Sequence, residues 1–179
     1  YVKDIRKLKS KVDATAGYSW QHFNEDNSSY TRGIIPNNEL EKRTQDENDL
    51  FLVSFFGRLN YTLNNKYLLT LSLRDDGSSR FSKDNRWGLF PATAFAWKIN
   101  EEKFLKNVSQ ISELKLRLGW GITGQQNIGS SYQPYMAVFV TSDSTNRYMI
   151  DGDYVSTIRP STYDPDIKWE ETTTKNIGV

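Results

Sequence analysis

Cysteine is absent from the 179 residues, which excludes disulfides, thiolate metal sites and a cysteine nucleophile. The lone histidine, His22, rules out a histidine-rich metal centre. Its place beside Phe23 reads as an exposed loop position just past a strand end. No apolar run approaches the ~20 residues that a membrane-spanning helix needs. Charge of one sign is missing too: 23 Lys and Arg against 22 Asp and Glu leave a net +1, so no nucleic-acid partner is expected. The adjacent carboxylates Glu101/Glu102 and Glu170/Glu171 cannot converge on one bond, because neighbouring residues of a strand point to opposite faces. With no other reactive constellation in view, no enzyme activity, metal or cofactor is expected. The chain starts at Tyr1 without an initiator Met and stops at Val179 inside a strand-like run. Both ends read as cut, so a missing targeting signal carries no information.

Alternation is what the sequence has in abundance. Val12, Ala14, Ala16, Tyr18 and Trp20 interleave with Asp13, Thr15, Gly17, Ser19 and Gln21. Phe51, Val53, Phe55, Leu59, Tyr61 and Leu63 share the next lane, with Leu52 and Phe56 as exceptions in the other. Asn64-Asn65 marks a tight turn, since Asn tolerates positive φ. Tyr67 to Leu73 forms a third run, and Trp87 to Ile99 a fourth that Pro91 makes irregular. Leu114 to Ile122 is the cleanest, facing Lys115, Arg117, Gly119 and Gly121. A sixth run, 168–179, alternates poorly. Residues 101–107 read as one short helical turn. About six antiparallel strands result.

The connections alternate between short turns and the long polar stretches 23–49, 75–86 and 124–167. Within the last, Tyr148 to Val155 around Asp151-Gly152 reads as a small exposed hairpin. Long loops on one side and short turns on the other is the outer-membrane barrel asymmetry. Aromatics, at 13%, sharpen that reading. Tyr18, Trp20, Trp87 and Trp120 fall at the outer strand ends, and Tyr61, Tyr67 and Trp97 at the inner ends, all in the apolar lane. Two girdles with aliphatic residues between them is a lipid-facing pattern. The charged fraction of 25% and mean hydropathy of −0.67 fit a barrel with a polar lumen as well as a soluble protein. A soluble β-sandwich, a carbohydrate-binding or adhesin module, explains the alternation equally well. It explains neither the aromatic placement nor the loop asymmetry. Six strands cannot close a barrel, and open edges are not tolerated in lipid. The chain therefore reads as a segment of a large antiparallel transmembrane β-barrel.

Four stretches carry a family resemblance: Arg74-Asp75-Asp76-Gly77-Ser78-Ser79-Arg80-Phe81; Trp87-Gly88-Leu89-Phe90-Pro91-Ala92 with Ala96-Trp97, Glu102 and Phe104; Leu114-Lys115-Leu116-Arg117 with Gly119 to Gln125; and Lys168 to Thr172 with Asn176 to Val179. Together, in this order, they resemble the SusC/RagA family of TonB-dependent outer-membrane transporters; the resemblance covers 51–179 well and 1–50 in pattern. Pro91-Ala92 stands where Pro-Ser is expected. The resemblance implies one receptor-type barrel domain over 1–179, in the outer membrane of a Bacteroidetes-like Gram-negative cell. It also implies a plug and a TonB-contacting segment elsewhere in the protein, a SusD-like surface lipoprotein as lid, and a glycan or peptide substrate.

Candidate contacts follow. Arg74, Asp76 and Arg80 flank Gly77-Ser78-Ser79 and either grip substrate or plug, or order the loop by hydrogen bonds. Arg58, Lys115 and Arg117 are expected to face the lumen, where they tune channel charge or are simply solvated. Gln125, Gln126 and Asn127 at the root of the last loop, with Tyr132 and Tyr135 inside it, suit sugar hydroxyls and peptide amides alike. Residues 168–175 carry Glu171 and Lys175 in the apolar lane, so that stretch is expected to stand above the membrane.

Overall fold

In the computed structural model, residues 1–31, 42–105, 110–128, 132–141 and 147–179 are described. The strands are β1 (Val2–Ile5), β2 (Ser10–Thr31), β3 (Lys42–Leu63), β4 (Tyr67–Ser78), β5 (Trp87–Lys98), β6 (Lys115–Gln125), β7 (Phe139–Thr141), β8 (Arg147–Ile150), β9 (Asp153–Ser156), β10 (Ile158–Pro160) and β11 (Glu170–Gly178). One seven-stranded antiparallel sheet runs in the order β1-β2-β3-β4-β5-β6-β11. The pairs β7–β10 and β8–β9 form two small separate sheets.

Six of the seven main strands are those the alternation predicts. The seventh, β1, folds back on β2 through a 3₁₀ turn at Arg6–Leu8, closed by Lys9 at φ 45°. It is too short to show a period. The Asn64-Asn65 turn forms with both residues at positive φ (53° and 57°), inside a three-residue connection, 64–66, between the paired Leu63 and Tyr67. Asp151 (φ 51°) and Gly152 (φ 89°) close the expected β8–β9 hairpin, also at positive φ. The helical turn lies earlier than expected: a 3₁₀ turn spans Ile99–Glu101, and 106–107 lie outside the described residues.

The largest correction concerns 23–49. Its described residues are strand, not loop: β2 and β3 are each 22 residues long and paired from Ser10↔Leu63 to Thr31↔Lys42. A strand of that length spans about 70 Å, against the 9–11 residues that a tilted strand needs to cross a bilayer. Polar residues fill both faces there, which hides the period while the backbone ladder continues. Hence Tyr18 and Trp20 lie mid-strand, not at strand ends, and so does Trp120 within β6. His22 is likewise inside β2: its Nε2 lies 2.7 Å from Asp49 Oδ1, and its ring stacks on Phe51 at 4.3 Å.

Pro91 sits where the β5–β6 ladder ends. Pairing of these strands runs from Lys98↔Lys115 to Ala92↔Gly121 and stops. The Lys98 N–H donates to Lys66 on the β4 side, while the Ile99 N–H donates to Leu114 on the β6 side. By strand alternation, the N–H that proline lacks is the one that would have continued the ladder to β6.

Direct cross-strand partners share a face, so register defines one largely apolar surface, interrupted by Asp75 between Phe55 and Leu89. It carries Val12, Ala14, Tyr18 and Trp20 of β2, Val53, Phe55, Leu59 and Tyr61 of β3, Leu69, Leu71 and Leu73 of β4, and Trp87, Leu89, Phe95 and Trp97 of β5. Leu116, Leu118 and Trp120 extend it on β6. These side chains are half-buried or exposed, and no second sheet covers them among the described residues. A sandwich would bury this face. Buried apolar side chains are confined to Phe81, Phe90 and Trp169 among the described residues, at the long-loop end.

At the short-turn end, Glu102 ties three elements together. It accepts hydrogen bonds from Lys66 Nζ (2.9 Å), Tyr67 Oη (2.7 Å) and Trp97 Nε1 (3.1 Å). These donors hold its carboxyl at about 2, well below its ordinary 4.5. A depressed carboxyl contributes stability above its unfolded value and loses it as pH falls through the folded one. The protection of the Lys66 and Lys98 amides against hydrogen exchange, relative to their intrinsic rates at each pH, is therefore expected to fall as pH drops from about 4.5 to 2 in the full-length protein. Glu102→Gln should remove that pH dependence.

Candidate functional site

The face opposite the apolar surface carries Thr15, Arg58, Ser72, Arg74, Asp76, Lys115 and Arg117. Arg58 stands level with Thr15 and Ser72 and is exposed. Lys115 lies directly across from Lys98, a like-charge pair, with Glu113 Oε1 3.9 Å from its Nζ. Arg117 is exposed opposite Ala96.

Arg74 and Asp76 form an ion pair on this face. Arg74 Nε donates to both carboxylate oxygens, at 2.6 and 2.8 Å, and Nη2 donates to Ser54 Oγ at 3.0 Å. That geometry ties β3 to β4 at the root of the loop. Ser78 is fully buried, and Ser79 exchanges two bonds with Phe51: its N–H donates to the Phe51 carbonyl, and its Oγ accepts from the Phe51 N–H, both at 3.0 Å. The Arg80 N–H donates to Ser78 Oγ at 3.2 Å.

Arg80 is 7% exposed and points away from Arg74. Its Nη1 donates to Asn127 Oδ1 (3.0 Å), Nη2 reaches the Ile128 carbonyl (3.5 Å), and the guanidinium lies 5.9 Å from the Tyr132 ring centre. Burial lowers its pKa, although an arginine remains a cation in a protein. Around it opens a pocket of about 690 Å³. Gln126, Asn127 and Tyr132 form one wall with Arg80; Gln21, Phe23, Asn24, Glu25, Leu50 and Leu52 from the β2–β3 ribbon form the other. Four sequence candidates thus meet in one cavity. Gln125, which only accepts the Asn127 N–H at 3.4 Å, does not line it, nor does the half-buried Tyr135.

The ribbon wall was hidden by the reading of 23–49 as loop. The signal was Leu52, the exception to the alternation: it faces the polar side with Leu50 because it lines this cavity.

The seven singled-out aromatics share the apolar face. Trp20 and Trp87 occupy one register row through Val53 and Gly77, and Tyr67 stacks on Trp97 at 6.2 Å. Tyr61 is in register with Phe95, so Trp97 is displaced by two residues over two strands. Trp120 is in register with Ala14, six residues from Trp20 over four strands, displaced in the same direction. Glu171 pairs with Gly124, four residues beyond Trp120 toward the long loops.

A family model described as TonB dependent receptor-like, beta-barrel, matches residues 5–179. The TonB-dependent receptor SusC of Bacteroides thetaiotaomicron is 47% identical over 188 residues, covering 100% of this chain and 18% of SusC. The TonB-dependent receptor P26 of Formosa agariphila is 40% identical, covering 87% of this chain and 14% of the receptor. Among solved structures, the RagAB peptide importer in its closed-closed state superposes with a TM-score of 0.79 at 23% identity, over 99% of this chain and 20% of that one; its open-open state gives 0.70 over 94% and 19%. The chain spans under a fifth of the length of SusC and P26. It belongs to the TonB-dependent receptor-like β-barrel family and is a SusC/RagA-type segment of that barrel's wall.

Proposed function

We propose that this segment forms part of the wall and outer loops of an outer-membrane importer that takes up oligosaccharides or peptides under a SusD-like surface lipoprotein. The plug, the remaining strands and the TonB contact belong to other parts of such a receptor. The observation that carries this reading is a single-layer sheet with a predominantly apolar face on one side and a polar cavity on the other.

The aromatic displacements support lipid on the apolar face. A level band drawn through Tyr61 and Trp97 leans from the perpendicular to the strands by about 35°, and one through Trp20 and Trp120 by about 45°, taking ~3.3 Å per residue and ~4.8 Å between strands. Outer-membrane strands tilt by roughly 35–45°. Each line becomes level once the strands lean as a barrel requires, and Trp87, in one register row with Trp20, then stands about 10 Å above the Trp20–Trp120 line. Trp87 and Trp97, ten residues apart on β5, are then separated by about 25 Å of membrane height, the thickness of the apolar band. Glu171 stands at the upper edge of that band, and Lys175, the direct partner of Trp120, lies within it, so the stretch 168–175 does not stand wholly above the membrane.

The cavity offers amides, two aromatic rings and a charge-balanced Arg80 and Glu25, which suits neutral polar ligands in the import path. The exposed apolar hairpin, with Tyr148, Met149, Ile150 and Tyr154, offers a face to the lipoprotein. RagAB is described as a peptide importer, which supports import as the activity. In the full-length receptor, Phe23→Ala with Tyr132→Ala is expected to cut uptake of one ligand class at least tenfold at unchanged surface abundance. Growth on a single oligosaccharide or a single peptide as nutrient reads which. Unchanged uptake of both classes would take the cavity out of the import path.

A further inference from the structure

The net charge of +1 conceals a strong polarity along the strands. The long-loop stretches 23–49 and 124–171 each carry seven carboxylates against three cations. At the opposite end, residues 1–13 carry Lys3, Arg6, Lys7, Lys9 and Lys11 against Asp4 and Asp13. Two features set this turn apart from its neighbours. At the same end Lys66 holds Glu102 at 2.9 Å and Lys115 lies 3.9 Å from Glu113, while Lys98, across from Lys115, has no carboxylate within 4.0 Å among the described residues. Among the described residues, none of the five cations of the β1–β2 turn lies within 4.0 Å of a carboxylate. Second, all five are exposed, and Leu8, 60% exposed, projects between Lys7 and Lys9 at the tip. Lys3 lies on the apolar face, in register with Val12 and, through it, Tyr61.

We infer that the β1–β2 turn is a contact for anionic phospholipid headgroups of the periplasmic leaflet. The inference rests on the transmembrane orientation proposed above. With Tyr61 at the inner girdle, Lys3 stands at headgroup depth on the lipid side. Its aliphatic stem lies along the apolar face while its ammonium reaches the phosphates. Arg6, Lys7 and Lys9 surround an apolar tip, an arrangement that suits the boundary between acyl chains and headgroups better than bulk water. The acidic far end faces the other leaflet, so the same field that draws anionic lipid to the turn repels it from the loops.

The test is titration of the purified full-length receptor in detergent with phosphatidylglycerol or phosphatidylcholine, counted by native mass spectrometry. Basic residues at an anionic surface contribute roughly fivefold each in affinity. The triple variant Arg6→Gln, Lys7→Gln, Lys9→Gln is therefore expected to weaken phosphatidylglycerol binding on the order of a hundredfold at low salt. Phosphatidylcholine binding should be unchanged. Lys83→Gln with Arg159→Gln and Lys168→Gln, charge-matched at the long-loop end, should have little effect. Wild-type binding in the triple variant, or an equal loss in the control, overturns the proposal. Leu8→Cys and Lys83→Cys, probed on intact cells with an impermeant maleimide, keep the two readings separate. Labelling of Leu8→Cys from outside overturns the orientation itself. Protection of Leu8→Cys with unaltered lipid binding overturns only the lipid contact.

Discussion

Leu71→Arg is expected to destabilise the full-length receptor in lipid bilayers by about 2–4 kcal/mol, the cost of an arginine facing lipid near the midplane. Leu71 sits on the apolar face midway along β4, between Tyr67 at the short-turn end and the outer girdle level. Ser72→Arg, one residue on, faces the polar side beside Arg58 and Ala92 and should cost well under half as much. The pair isolates orientation from propensity, because both variants place the same side chain in the same strand. Reversible denaturant unfolding in vesicles measures it. Equal costs at the two positions would mean that the apolar face does not meet lipid.

Trp169→Ala should destabilise the long-loop end by about 3–5 kcal/mol, the usual range for emptying a buried aromatic site. Trp169 packs against Phe81 (5.2 Å between ring centres) and edge-on against Phe90 (5.3 Å). Its indole N–H donates to the Arg86 carbonyl at 3.0 Å. Removing the ring therefore empties a cavity and strands a carbonyl together. Gly88 and Gly124 show how tight the site is: a Cβ at either position would run into the Phe90 ring. The effect should stay local. Hydrogen exchange is expected to accelerate in the loop after β4 and at the start of β11, while the central residues of β2 to β4 remain protected. Global loss of protection would instead make this small core the keystone of the whole wall.

Sequence reading succeeded where chemistry alternates and failed where it does not. Membrane-level strands must present apolar side chains on one face only, so the period in 12–20, 51–63 and 114–122 survives as a visible code. Asn64-Asn65 and Asp151-Gly152 were legible because few residue pairs accept two successive positive φ angles. Beyond the membrane level that constraint lapses. Asn24 can pair with Glu47 and Asp49 on one face, Glu25 can line a cavity on the other, and the backbone ladder needs neither to be apolar. So the upper half of the β2–β3 ribbon read as loop, and half the candidate cavity went with it. Arg80 was singled out, but not its separation from Arg74: neighbouring basic residues around a Gly-Ser-Ser turn look alike until Ser78 and Ser79 tuck under β3 and turn the chain. The role of Glu102 was not legible beside Glu101, because the three donors that collect on it come from 5 to 36 residues away.

The unbroken β2–β3 ladder also restricts how relatives of this wall can diverge in length. From Ser10↔Leu63 to Thr31↔Lys42 the register is continuous, so every residue's face is set by counting from the Asn64-Asn65 turn. One residue gained in β3 between Leu52 and that turn would exchange faces for everything beyond it, taking Leu50 and Leu52 out of the cavity wall and onto the opposite face. Drift in the ribbon should therefore proceed in steps of two, or outside the paired stretch altogether. The height of the ribbon above the cell surface then becomes a quantised trait, which evolution can lengthen only in whole pleats.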